Sequence, residues 1–488
     1  LYQSLWTFIS TDIMKRQLIF GLKKPEAGST DIVWPQPTGL TRHQLTLYNE
    51  ALNAGPLYLL WGPPGTGKTS RMLKSWVWYY FLHTNARIAL LAYTNKAVDE
   101  ICQALHDLGK DVSDHYIRIG SRAGTGHSYK CRLLDILIDP MTKRSEIKSL
   151  LDQTRIFVAT VASMQGKSEI FKLIDFEVAI VDEASQILEP TMVGLLTRFQ
   201  KTILIGDHMQ LPAVSTQPYH FSKVPLQLEW ASRIGLTDMG MSYFERIFRL
   251  YSVKGWHHVI GVLSEQGRMH RDIQSFANNY VYNNQLTCLN EENQNSYLCE
   301  LTQEYDNPLF KDRLLYIPTH STFRENYLKT NLEEAELTIE IIKAWQEKIS
   351  DHKLNWTIGV ITPFRAQIAA ILHKAHLSNL DLSNVTVDTV ERYQGGARDI
   401  IIMSASVNNR STLSRIVSLN REGIDRKLNV AVTRARQQFI LLGNEEILMQ
   451  EHAYRALIDM SVRKIITIPQ RDHLLFDRQP HVKVLGHQ

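Results

Sequence analysis

Apolar residues in this chain gather into short, dense runs separated by longer amphipathic stretches. In the first half the runs lie at 57–61, 87–92, 155–160, 177–181 and 202–206. They are apolar throughout rather than alternating, the pattern of strands covered on both faces. Apolar positions at helical spacing lie between several of them, as in TSRMLKSWVWYYFL (69–82). The second half repeats the rhythm, with strand patterns at 314–317, 357–362, 384–389, 399–406 and 439–443. Helical patterns there cover 332–349, 364–377 and 428–436. Strand and helix in alternation predict parallel sheets with helices on their faces, an α/β chain of two similar lobes. The expected division is a lead-in at 1–39, a first lobe at 40–250 with a small helical insertion at 122–153, a second lobe at 251–460, and a C-terminal extension at 461–488. Within the lead-in, residues 3–23 carry apolar positions at helical spacing.

Composition changes this picture little. A length of 488 residues suits two or three domains. No apolar stretch approaches the ~18 residues of a membrane span, so no membrane partner is expected. The four cysteines, Cys102, Cys131, Cys288 and Cys299, form no CxxC pair, which suggests neither a zinc site nor a disulfide framework. Reduced thiols fit a cytoplasmic protein, or a nuclear one in a eukaryote. The net charge of +4, from 54 basic and 50 acidic residues, permits nucleic-acid binding without arguing for it.

Candidate chemistry begins where the first strand pattern stops. Gly62, Pro63, Pro64, Gly65, Thr66, Gly67, Lys68 and Thr69 fit GxxxxGK[ST], the phosphate-binding loop. Glycines let the backbone wrap closely and aim N–H groups at phosphate oxygens. Lys68 would reach the outer phosphates, Thr69 would offer a hydroxyl to Mg²⁺, and the helix that follows would add its positive end. A plain glycine-rich turn is the alternative, but a strand before and a helix after are what the phosphate loop requires. Downstream, FEVAIVDEASQ (176–186) ends a buried strand in Asp182 and Glu183. Alone, such a pair is ordinarily solvated loop charge. After a phosphate loop, the first acid holds Mg²⁺ and the second activates the attacking water. A third strand pattern ends at Asp207 and Gln210, where a polar side chain can sense the γ-phosphate; an ordinary turn is the alternative. RKLNVAVTRAR (426–436) places Arg426, Arg434 and Arg436 on a helical pattern, with Arg434 at an exposed turn. That segment is either a solvated basic helix or a source of transition-state charge for ATP hydrolysis.

The ordered set of segments resembles the superfamily 1 helicases of the 5′-to-3′ branch. It is similar to the group that contains the nonsense-mediated-decay RNA helicase and the flap-processing nuclease-helicase. The matching stretches include LTRHQ (40–44), GPPGTGKT (62–69), AYTNKAVDEI (92–101), RIGS (118–121), ATVAS (159–163), VDEASQ (181–186), GDHMQLPAV (206–214), SYFERI (242–247), EQGRMH (265–270), GVITPFRAQ (359–367), TVDTVERYQGGARDIII (386–402) and LNVAVTRAR (428–436). The resemblance implies two RecA-like lobes with an ATP site in the cleft between them, and ATP-dependent translocation along single-stranded nucleic acid. It implies that Gln44 reads the adenine edge. Gln210 would couple the γ-phosphate to the lobe interface, and Arg268 and Arg434 would contact that phosphate from the second lobe, Arg434 as an arginine finger. Thr94, Ser121, Thr160, Pro363, Arg365 and Thr389 would line the strand track, gripping backbone more than base.

DNA and RNA are both open as substrates. The short insertion at 122–153 sides with the DNA enzyme; an RNA helicase or remodeller of the same family is the alternative. A nucleotide-switched binding scaffold within a larger nuclease or defence-type assembly is a further alternative, though one with weak hydrolysis should have lost Glu183 or the arginines. A GTPase is disfavoured by the lack of a guanine-reading NKxD. The resemblance further implies an N-terminal domain or partner outside this chain, because family members carry a barrel and a stalk ahead of the Gln44 stretch. The chain departs from the family at Gly267, where an aromatic ordinarily stacks on the base, and at Ala397, where an acid ordinarily holds the ribose. Both departures imply a loosely held nucleoside.

Overall fold

A computed structural model describes residues 2–465, apart from 27, 29–31, 33, 216, 218, 226, 290–293, 295, 322–327 and 394–395. Most of the extension expected at 461–488 lies outside the described residues. The chain divides into two compact units.

The first unit is built on seven strands: β1 (Leu57–Trp61), β2 (Ile88–Ala92), β3 (Tyr116–Ile119), β4 (Ile156–Thr160), β5 (Phe176–Asp182), β6 (Phe199–Gly206) and β7 (Ile260–Val262). They lie in the order β3-β4-β2-β5-β6-β1-β7, and neighbouring strands pair in parallel. Every residue of β1, β2 and β4 is buried, as continuous apolar runs require when helices cover both faces. Five helices recur below: α1 (Tyr2–Ile9), α2 (Ile13–Phe20), α3 (Arg42–Asn53), α4 (Lys74–His83) and α5 (Asn95–His106).

The lead-in is two helices where the spacing suggested one run. Asp12 accepts from the backbone N–H groups of Met14 and Lys15, so a new N-terminus starts there. α1 then packs on the helix Glu189–Leu196, where Ser4 donates to Pro190 O at 2.9 Å.

Two strands of this sheet escape the periodicity. β3 is four residues long and carries Arg118, which is buried only because it pairs with Asp99. β7 contains Gly261, and a Cβ there would lie 2.2 Å from the Tyr58 hydroxyl. Because β7 pairs with β1, the boundary expected at 250 is corrected: the first unit runs on to Ser296. It also includes Val390–Ala397 and Val417–Gln437. A short parallel ladder, β8 (Glu265–Gln266) with β9 (Thr287–Cys288), follows β7.

The second unit holds a sheet of β10 (Leu314–Pro318), β11 (Ile358–Ile361), β12 (Val385–Asp388), β13 (Arg398–Ser404), β14 (Ala435–Gly443) and β15 (Val462–Arg463). Their order is β12-β11-β13-β14-β10-β15. Its core gathers Leu315, Ile317, Ile342, Trp345, Val360, Ile400, Ile402 and Leu442. Trp345 donates its indole N–H to Gln438 at 3.0 Å. The helix expected over 428–436 is shorter than its pattern. Asp425 caps it at the start, and it spans Arg426–Val432. Thr433 and Arg434 turn out of it, and Ala435 already begins β14.

Candidate nucleotide site and strand-end hydroxyl row

In a parallel sheet, loops that leave the carboxyl ends of the strands share one edge, and ligands bind there. In the first unit that edge carries two different chemistries. The ends of β5, β6 and β1 present carboxylates, an amide and the phosphate loop. The ends of β3, β4 and β2 present hydroxyls.

The loop after β1 has the backbone that phosphate wrapping needs. Gly65 (φ +78°) and Gly67 (φ +82°) lie in the left-handed region. A Cβ at Gly65 would come 2.6 Å from Arg268 Cβ, so the loop and the turn that carries Arg268 approach as closely as glycine allows. Gly267 N–H donates to Gly65 O at 3.0 Å and fastens the two together. Thr66 is buried and donates to Pro63 O at 2.8 Å. Lys68 Nζ donates to Gly62 O at 2.5 Å, an ammonium resting on a carbonyl at the mouth of the loop. Gln44, on α3, is fully buried and donates to Thr66 O at 3.2 Å. Its side-chain oxygen accepts from Thr41 N in a capping box, so Gln44 braces the loop as well as the helix start.

The Thr69 hydroxyl donates to Asp182 Oδ2 at 2.5 Å. Burial, and then the adjacent Glu183 charge, push the Asp182 carboxyl above the usual range, while Thr69 and Lys68 act the other way. A nearby cation would relieve that strain. Among the described residues no three His, Cys, Asp or Glu side chains converge as a metal cage. One carboxylate and one hydroxyl are the donor set of a hard divalent ion that takes its other oxygens from phosphate and water. Glu183 sits at φ +53°, left-handed backbone that costs a side-chain-bearing residue energy and is found at functional turns. Gln186 donates to Glu183 Oε2 at 3.0 Å.

Beyond β6, Asp207 Oδ2 accepts from Gln210 Nε2 at 2.6 Å and from the Tyr282 hydroxyl at 2.8 Å. Its Oδ1 accepts from Trp61 Nε1 at 2.9 Å. Gln210 Oε1 in turn accepts from Arg434 Nη2 at 2.7 Å. Arg434 is 2% exposed, not on an exposed turn as its position suggested, and its segment packs within the first unit. Its other donors meet the carbonyls of Val430 and Gly396. Arg268 donates to Thr433 O at 3.4 Å. Among the described residues neither guanidinium forms an ion pair with a carboxylate, although the charges of Glu183 and Glu100 act on both. Burial, and then the charge of Arg434, pull Arg268 down to about 9. Two close cations of this kind are placed for an anion.

The sequence did not single out two further contributors, although both lie in the matching stretches. Gln266 is buried, accepts from Arg268 N and Met269 N at 2.8 Å, and so shapes the turn that presents Arg268. Glu100, on α5, is pushed up to about 7, first by burial and then by the charges of Asp182 and Glu183. Its only sequence signal is membership of the AYTNKAVDEI stretch.

The hydroxyl row lies at the other end of the edge. Thr94 caps α5, accepting from Ala97 N at 3.1 Å, and is exposed. Ser121 follows β3, is exposed, and accepts from Gly124 N at 3.2 Å. Thr160 ends β4 and caps the next helix, accepting from Ser163 N at 3.0 Å; it is buried. The order β3-β4-β2 puts these three on neighbouring strand ends, roughly 4.8 Å apart per strand. In the second unit, Pro363 follows β11, Arg365 opens the helix Arg365–Leu377 and is exposed, and Thr389 follows β12. β11 and β12 are neighbours, so these three also share one sheet edge.

Comparison with known proteins bears on this arrangement. Two family profiles, both described as AAA domain, match residues 39–139 with 139–217 and residues 239–446. The chain is 28% identical over 453 residues to the DNA replication ATP-dependent helicase/nuclease JHS1 of Arabidopsis thaliana, covering 89% of this chain and 31% of that protein. It is 29% identical over 347 residues to helicase sen1 of Schizosaccharomyces pombe, covering 69% and 18%. It is 26% identical over 477 residues to regulator of nonsense transcripts 1 of Dictyostelium discoideum, covering 88% and 32%. The chain thus spans about a third of the length of these relatives, or less.

Proposed function

We propose that this chain, which belongs to the superfamily 1 helicases, hydrolyses ATP at the β1–β5–β6 end of its first sheet and uses the cycle to move along single-stranded nucleic acid in the 5′-to-3′ direction. The observation that carries the reading is the pair Arg268 and Arg434. Both are buried cations for which no carboxylate ion pair is seen among the described residues, and Arg268 lies against the phosphate loop at Gly65. A γ-phosphate supplies the negative charge they lack.

The chain's own groups then divide the work. Lys68 leaves Gly62 O for the outer phosphates. Thr69 and Asp182 would hold Mg²⁺, which supplies charge neutralisation on the phosphate oxygens. Glu183 takes the proton of the attacking water. Arg434 and Arg268 stabilise charge on the transferred phosphoryl group, and Gln210 links Arg434 to the β6 turn. Coupling follows from connectivity. Arg434 is bonded directly to Ala435, the first residue of β14, so its capture and release by phosphate reaches the second sheet through one peptide bond. Gln44 braces the phosphate loop through Thr66 O, and the role of reading the adenine edge is proposed for it by resemblance to the family.

The strand track is proposed along Thr94, Ser121 and Thr160 in the first unit, and Pro363, Arg365 and Thr389 in the second. Short hydroxyls and helix N-termini bind phosphate and release it readily, which stepping demands. DNA is the proposed substrate, in keeping with the short insertion, and an N-terminal domain or partner completes the working protein. No helix among the described residues is long and apolar enough to cross a membrane. A cytoplasmic or nuclear location is proposed in keeping with the DNA replication helicase among its relatives.

The test is ATPase rate against matched single-stranded DNA and RNA at several fixed salt concentrations. Strong stimulation by DNA is expected. Equal basal rates with either polymer would overturn the motor reading, and stimulation by RNA alone would replace the substrate.

A further inference from the structure

Tyr282 has no part in the chemistry described so far, yet its hydroxyl sits inside the site's polar network. It donates to Asp207 Oδ2 at 2.8 Å and accepts from Asn429 Nδ2 at 3.0 Å. Asn429 also donates to Met209 O at 2.8 Å. Gln210 Nε2 shares Asp207 Oδ2, at 2.6 Å. With its amide nitrogen committed to Asp207, Gln210 turns its oxygen to Arg434 Nη2, at 2.7 Å. Tyr282, Asn429, Asp207, Gln210 and Arg434 are all buried, so a lost partner leaves a desolvated polar group behind.

We propose that Tyr282 is a positioning residue for ATP hydrolysis: its hydroxyl, braced by Asn429, fixes the Asp207 carboxylate, which sets the Gln210 amide with its oxygen toward Arg434. The inference rests on the assignment of Arg434 as a catalytic residue. An amide is nearly symmetric in shape, so packing alone would not choose which end meets the guanidinium. A carboxylate held from several sides does choose, because it accepts only from the nitrogen end. Trp61 Nε1 and Met209 N hold the other carboxylate oxygen. Removing the hydroxyl takes one of the two donors from Asp207 Oδ2, leaving Gln210 there, and one of the two acceptors from the Asn429 amide. Burial keeps the phenol protonated far above neutral pH, so the donor is constant across the working range.

The experiment is Tyr282→Phe, which keeps the ring and deletes the hydroxyl. The expected result is a fall in kcat of about ten-fold or more, the scale of one lost hydrogen bond to a charged group. The KM for ATP should hardly change, because the phosphate loop is untouched. Asn429→Ala should give the same pattern. In a Gln210→Ala background, Tyr282→Phe should have no further effect, since its route is already cut. An unchanged kcat in Tyr282→Phe would overturn the proposal. So would a full additional loss in the Gln210→Ala background, or a loss that disappears when rates are normalised to the folded, ATP-binding fraction. Arg434→Ala separates the two levels of the argument. If it hydrolyses ATP normally, the catalytic assignment fails. If it is inactive while Tyr282→Phe is normal, only the role of Tyr282 fails.

Discussion

Replacing Arg434 tests the catalytic assignment most directly. Its three nitrogens already donate to Val430 O at 3.2 Å, Gly396 O at 3.3 Å and Gln210 Oε1 at 2.7 Å. A guanidinium carries about five N–H donors, so these contacts leave roughly two, one on each terminal nitrogen, to meet a phosphate. Each bond to a charged group contributes about 1.5–3 kcal/mol. Two of them made in the transition state amount to about 3–6 kcal/mol, or roughly 10²–10⁴ in rate. Arginine fingers as a class span about 10³–10⁵. Arg434→Ala should therefore lower kcat by at least two orders of magnitude, with a much smaller change in KM. Arg434→Lys should recover little. An ammonium is a point charge and cannot hold three separated acceptors while also reaching phosphate. The assay is steady-state ATP hydrolysis at saturating single-stranded DNA. It should be read beside a thermal melt, because losing the guanidinium leaves Gln210 Oε1 without its donor and costs about 1–3 kcal/mol of stability. A loss of kcat under about ten-fold, equivalent to about 1.4 kcal/mol, would refute the assignment.

The remaining predictions concern the base, the buried imidazole and the nucleoside. Glu183→Gln should bind ATP normally and turn it over orders of magnitude more slowly, since Thr69, Asp182 and the loop are intact; near-normal single-turnover hydrolysis would remove Glu183 from the role of base. His208 is buried between Trp61 and Phe248, and burial pulls it down to about 4. It is therefore neutral in the folded chain, while the unfolded chain takes up a proton near pH 6.5. Stability should be fully present above that pH and fall by as much as about 3 kcal/mol as the pH drops towards 4. Urea unfolding at pH 7.5 and pH 5 should show this fall, and a His208→Gln variant with an unchanged pH slope would contradict it. Gly267 and Ala397 predict a high KM for ATP and ready use of dATP, read by steady-state kinetics. Backbone at Gly267 is not left-handed, and a Cβ there would meet only the flexible end of Leu289 at 3.1 Å. Gly267→Tyr should therefore lower the KM for ATP; an unchanged or higher KM would mean that the space is already used.

The sequence by itself determined the parts of this protein that are local. An apolar run followed by glycines at set spacing can fold only as a strand entering a tight turn, so β1 and the phosphate loop were legible. Asp182 and Glu183 were legible because adjacent acids at the end of a buried apolar run stand out after a phosphate loop, even though Asp182 itself is buried. The two-sheet α/β class followed from alternation alone. The tertiary structure decided what depends on partners distant in the chain. β3 and β7 are too short to show a period, and they exist because β4 and β1 offer unpaired edges; β7 moves the expected boundary with it. Arg118 reads as a surface residue until Asp99 is brought against it. Arg434 read as part of an exposed basic helix, but Ala435 is drawn into β14 and the helix stops at Val432, which turns the guanidinium inward to Gln210. Tyr282 lies far in sequence from Asp207 and Asn429, the groups it bonds. A hydrogen bond sets no spacing between its partners along the chain, so only the fold could bring these groups together.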